Sequence, residues 1–193
     1  MPIVLGKLIP DFYYNEKFLS FTILSISLLS GCSAFNYSAP LYKDPVGEKS
    51  NLARIRFVGN VTGTSISTKE NREDQQLVPH TSFGYYNDTR DIGMPKISYR
   101  QNDYKNYYFE VYAKPGHTIF HILTDNTDQG SCSMSALVNL EAGKDYDVNF
   151  DAHEQFTKCV FHFSEIVTDP ATGVKILKAK PFKKEGYFAT EFN

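Results

Sequence analysis

Alternation of apolar and polar side chains dominates the body of this chain. Ala53-Arg54-Ile55-Arg56-Phe57 alternates strictly, as a strand with one face in a core requires. Residues 107–113 form a second run, and Lys114-Pro115-Gly116-His117 reads as a turn into a third, 118–123. In 132–140 every even position is apolar, and Glu141-Ala142-Gly143-Lys144 then leads into 146–150. Residues 159–167 and 174–179 complete the series, joined by Asp169-Pro170-Ala171-Thr172-Gly173. Pro, Gly, Asn and Asp at these junctions supply turn conformations. No segment keeps a 3.6-residue period for three turns. The pattern predicts an all-β fold, an antiparallel β-sandwich of about seven to eight strands occupying residues 51–193.

Two stretches break the alternation. Residues 60–105 carry Asn, Gly, Thr and the charged cluster Lys69-Glu70-Asn71-Arg72-Glu73-Asp74, with short strand candidates only near 64–67 and 96–100. They read as long loops around one hairpin or edge strand. Residues 32–50 lack either period and contain Pro40 and Pro45, the composition of a tether.

The N-terminal segment has a different character. Residues 18–29 are uncharged, and as a helix they would cover roughly 18 Å, short of a bilayer core of about 30 Å. With Lys7 and Lys17 upstream, partly offset by Asp11 and Glu16, this is the layout of an export signal. Leu29-Ser30-Gly31-Cys32 follows directly, and it resembles the lipobox of bacterial lipoproteins. The resemblance implies that 1–31 is a signal peptide, a helix removed before Cys32, and that Cys32 receives acyl chains, palmitate among them. Ser33 stands where an inner-membrane retention signal would place Asp, which points to the outer membrane with the protein facing the periplasm. Two or three chains anchor stably where one does not. The alternatives are an uncleaved anchor, or a buried helix followed by an ordinary cysteine.

Composition narrows the partners. Net charge is −2 and remains so without residues 1–31, so no nucleic-acid footprint is present. Fifteen Phe and thirteen Tyr with no Trp suit pleated, half-buried surfaces. With Cys32 assigned to lipid, Cys132 and Cys159 remain, in a compartment where disulfides persist. Both fall on the apolar parity of their strands, so a Cys132–Cys159 bridge is expected. On the chain-entropy model, closing a loop of about 28 residues stabilises by roughly 3.5 kcal/mol. Two buried free thiols are the alternative.

The pattern of 53–57, then Val111-x-x-x-Pro115-Gly116-His117, then Leu140-Glu141-Ala142-Gly143-Lys144-x-Tyr146 resembles small β-sandwich domains of uncharacterised bacterial lipoproteins. Those domains carry no catalytic residues to transfer. Other candidate chemistry is thin. His117 and His121 share a strand face but stand about 13 Å apart, too far to bind one ion. Asp125-Asn126-Thr127-Asp128-Gln129-Gly130 fails the calcium-loop positions. Ser131, Ser133 and Ser135 lie outside any G-x-S-x-G elbow, with Ser133 and Ser135 on a polar strand face. No metal or cofactor is called for, and the chain reads as a non-enzyme. Tyr108 and Tyr112, on the parity of Glu110 and Lys114, are expected to face outward as a contact surface. The function these features support is a lipid-anchored periplasmic binding or structural module, contacting an envelope protein or peptidoglycan. A small envelope hydrolase, or an accessory lipoprotein of a secretion or efflux assembly, is the alternative.

Overall fold

Strict alternation becomes sheet at every run where it was read. The computed structural model describes residues 39–59, 61–79, 89–105, 107–126, 130–153 and 158–190. Side chains are described at these positions except 124–126, 130–131, 151–153, 158–159 and 186–190. Segment 1–31 and Cys32 lie outside them. Ten strands follow in order: β1 (Ala53–Val58), β2 (Ser65–Thr68), β3 (Gln75–Gln76), β4 (Tyr108–Ala113), β5 (Gly116–Asn126), β6 (Gly130–Leu140), β7 (Asp145–His153), β8 (Lys158–Thr168), β9 (Lys175–Ala179) and β10 (Lys183–Thr190).

They form two five-stranded sheets, ordered β4-β1-β7-β8-β9 and β10-β6-β5-β2-β3. The fold is an all-β sandwich, and its pairing is mostly antiparallel. β1 with β7 is the parallel pair, Arg54 opposite Asp145 through Val58 opposite Asn149. Seven strands match the expected runs, β2 falls on the short candidate near 64–67, and β3 and β10 are added to them. The candidate at 96–100 is no strand, because residues 98–100 are a 3-10 turn. β10 escapes the pattern because its Lys-Lys-Glu-Gly start has little alternation.

The core lies between the sheets. Ile55, Phe57, Val111, Tyr146, Val148 and Phe163 from one meet Phe120, Ile122, Met134, Ala136 and Val138 from the other. Phe120 sits at the centre, edge-on to Phe57 at 5.2 Å and to Phe163 at 6.2 Å between ring centroids. Such geometry sets the positive ring edge against the negative face. The even positions of β6 from Cys132 to Leu140 are all buried, as the alternation requires.

The expected tether shortens. From Ala39 onward the chain docks on the sandwich. The Tyr42 amide donates to Gln76 O at 2.7 Å, and Gln76 N to Pro40 O at 2.9 Å. The Tyr42 hydroxyl reaches the other sheet, donating to Tyr112 O at 2.7 Å. One residue thus joins an edge of each layer. Burial pushes its phenol pKa up.

Candidate functional site

The outer face of the β4-β1-β7-β8-β9 sheet was expected to be solvent-facing, and it is covered. Segment 89–105 crosses it as a strap. Gly93, at φ +84°, adopts a backbone that few residues but glycine take, and its amide is held by Asp91 Oδ1 at 2.8 Å. The strap lays Met94 and Ile97 on Ile166 in a small second core.

Beneath it lies a buried ionic network. Arg56 and Glu110 are both 0% exposed and Asp147 is 2% exposed. Arg56 Nε donates to Glu110 Oε1 at 2.8 Å. The rest of its guanidinium donates to Met94 O and Pro95 O, each at 3.0 Å, and to the Tyr104 hydroxyl at 3.3 Å. Glu110 Oε2 accepts from the amides of Ile92 at 2.7 Å and Met94 at 3.3 Å. Arg100, on the strap, donates to Asp147 Oδ1 at 2.5 Å. Burial pushes the Asp147 carboxyl up, against the pull of Arg100. The network therefore serves the strap's own backbone, satisfying groups that burial would otherwise orphan.

This corrects the expectation for Tyr108, which is 5% exposed, while Tyr107, placed inward by parity, is 44% exposed. Tyr108 is on the outer face, as its parity demands, but that face is roofed. Its hydroxyl donates to Asp91 Oδ2 at 2.7 Å, and Lys96 Nζ lies 5.3 Å from its ring. The Tyr108 bond, helped by the Gly93 amide, holds the Asp91 pKa down to about 2. Tyr112 is half-buried, with Lys49 Nζ 5.2 Å over its ring. Its amide donates to Asp44 Oδ1 at 3.2 Å, and Asp44 also pairs with Arg90. Tyr112 therefore lines a hollow near Val46 and Arg90 and shares no surface with Tyr108.

An open cleft of about 490 Å³ lies where the docked segment meets the sheet ends. Tyr42, Lys43 and Pro45 form one wall, and Glu70, Asn71 and Glu73 of the β2–β3 loop another. Lys114, Pro115 and His117 of the β4–β5 turn close the end, over Ile66 and Thr118. The Thr68 hydroxyl fixes the loop by accepting from Asn71 N at 3.0 Å. Three segments spread over residues 42–118 build this cleft, and nothing in their local patterns announced it.

The remaining predicted residues separate. Cys132 is fully buried on β6. Cys159 is on β8 in the facing sheet, but its side chain lies outside the described ones, as does the residue 127–129 stretch of the failed calcium loop. His117 lines the cleft. His121 instead stands beside Asp74 and Ser135 on the outer face of the other sheet, a grouping that strand parity alone does not reveal. Among the described residues no cluster of three or more His, Cys, Asp or Glu could hold a metal ion, and no helix is long and apolar enough to cross a membrane. No family model matches the chain, and neither does any curated protein or solved structure compared with it.

Proposed function

We propose that this chain is a bacterial envelope lipoprotein, held in the outer membrane through acyl chains on Cys32 and facing the periplasm. Its folded unit acts as a binding or structural module for an envelope protein or peptidoglycan. The anchoring half rests on Leu29-Ser30-Gly31-Cys32 after an uncharged run of export length. One observation supports the binding half: the cleft of about 490 Å³ between docked segment, loop and turn. Its lining combines Lys43 and Lys114 with Glu70 and Glu73, and adds apolar Ile66 and Pro115. A mixed lining of this kind suits a peptide carrying both charges better than a lipid tail.

The same compartment favours a Cys132–Cys159 bridge. Cys132 is fully buried, and its strand and that of Cys159 belong to different sheets. A bond there would tie the two layers together.

The test expresses the full chain in a Gram-negative host fed labelled palmitate. Label on the wild type and none on Cys32→Ser is expected. Purified sacculi and envelope extracts are then compared for binding to wild type and to Lys43→Glu/Lys114→Glu. Lost binding with unchanged melting supports the cleft. An unlabelled mature protein sinks the anchor, and undiminished binding by the double variant sinks the cleft.

A further inference from the structure

On the outer face of the β10-β6-β5-β2-β3 sheet one imidazole stands between a hydroxyl and a carboxylate. His121 of β5 and Ser135 of β6 are directly opposed in the ladder, and Ser135 Oγ lies 2.6 Å from His121 Nδ1. Asp74, just before β3, places Oδ1 3.1 Å from His121 Nε2; that oxygen is withdrawn from solvent and has no hydrogen-bond partner, while Ser67 Oγ lies 3.5 Å from the same nitrogen. We propose that Ser135 is a nucleophile, His121 its general base and Asp74 the positioning residue, and that the groove they line hydrolyses small carboxylic esters.

The proton positions follow from the donor inventory. Asp74 Oδ1 accepts no hydrogen bond in the resting geometry; turned onto Nε2, 3.1 Å away, its carboxylate would accept a proton held there. Nδ1 then carries the lone pair, and the hydroxyl 2.6 Å away must donate to it. This is the Ser-His-Asp division of labour with the two ring nitrogens exchanged.

A second observation sits beside it. The β6–β10 register runs from Lys184 opposite Ala136 to Gly186 opposite Ser135, leaving Glu185 as an extra residue next to the serine. Bulges re-aim side chains and recur beside active sites. Glu185 and Arg72 line the groove, whose volume of about 290 Å³ admits a short acyl group. Arg72 is the cation available to a developing oxyanion. Glu185 is paired with Lys183 at 3.0 Å, leaving Asp74 against Arg72, and a groove so balanced favours a neutral ester over a charged one.

In the reaction, Ser135 Oγ attacks the ester carbonyl and passes its proton to His121 Nδ1. The tetrahedral intermediate collapses, the bond to the alkoxy oxygen breaks, and Nδ1 returns the proton to the leaving alcohol. Water then attacks the acyl-serine carbonyl, giving a proton to Nδ1. Cleavage of the acyl–Oγ bond releases the carboxylic acid, and Nδ1 reprotonates Ser135.

The full chain is treated with a fluorophosphonate probe, the adduct is mapped by peptide mass, and p-nitrophenyl acetate turnover is followed. A Ser135 adduct is expected in wild type and in Cys32→Ser, so the outcome does not depend on anchoring. Ser135→Ala abolishes it, and His121→Gln slows turnover about 100-fold or more, the usual worth of a general base. Asp74→Asn lowers turnover and Asp74→Glu restores part of it, at an unchanged melting temperature. A wild type with no adduct at Ser135, or an adduct formed equally fast in His121→Gln, overturns the proposal. Mapping on the wild type decides even if a variant misfolds.

Discussion

Replacing Arg56 tests what the buried network is for. Arg56→Met removes one member of a pair in which both side chains are 0% exposed. It leaves Glu110 charged and unpaired, a loss usually worth about 3–5 kcal/mol. For a domain of this size that lowers Tm by roughly 10 °C. The informative variant is Arg56→Met/Glu110→Met. Buried ion pairs replaced by apolar residues are often neutral or more stable by about 1–4 kcal/mol. Here that recovery is not expected. Met94 O and Pro95 O lose the guanidinium, while the Ile92 and Met94 amides lose the carboxylate. At about 1–3 kcal/mol for each orphaned group, the strap would sooner lift into water than stay dry. Urea unfolding by far-UV circular dichroism gives the stability, and amide exchange at Ile92 and Met94 reports the strap. A double variant within about 1 kcal/mol of wild type, no more than one orphaned group usually costs, with both amides still slow, would refute the reasoning.

Asp91 supplies a pH prediction. Its carboxyl sits at about 2 in the folded protein, against about 3.9 unfolded. Its contribution to stability is therefore present above about pH 4 and is lost as pH falls through about 2. An NMR titration should show the low midpoint, and Tyr108→Phe should move it upward by removing the bond from the Tyr108 hydroxyl; an unmoved midpoint contradicts the assignment. For the cysteines, peptide mapping without reductant should recover residues 132 and 159 in one cross-linked fragment, whereas two maleimide-reactive thiols in native protein would exclude the bridge.

The sandwich was readable because its strands alternate, and β6 is the plainest case, with Cys132, Met134, Ala136, Val138 and Leu140 all inward. The roof over β1, β4 and β7 was not. Arg56, Glu110 and Asp147 occupy polar positions that look the same whether they meet water or a strap. What buries them is residues 89–105, whose Ile92, Met94 and Ile97 follow no period. His121 and Ser135 could have been matched by folding the β5–β6 hairpin onto itself. Asp74 could not, because it arrives from a two-stranded edge whose register depends on tertiary contacts. Parity tells which face a residue is on, but not what lies over that face.

The position of β1 bears on the order in which the chain can fold. Its partners are β4 and β7, and the Arg54–Asp145 contact closes a separation of 91 residues. Loop closure on that scale must precede the pairing that rewards it, so folding rates fall as such contacts dominate. A polypeptide emerging N-terminus first holds β1 unpaired until β4 has followed, and without its second neighbour until β7 has. Ile55 and Phe57 remain solvent-exposed through that interval. A chain so built pairs its first strand late, across segments made long after it.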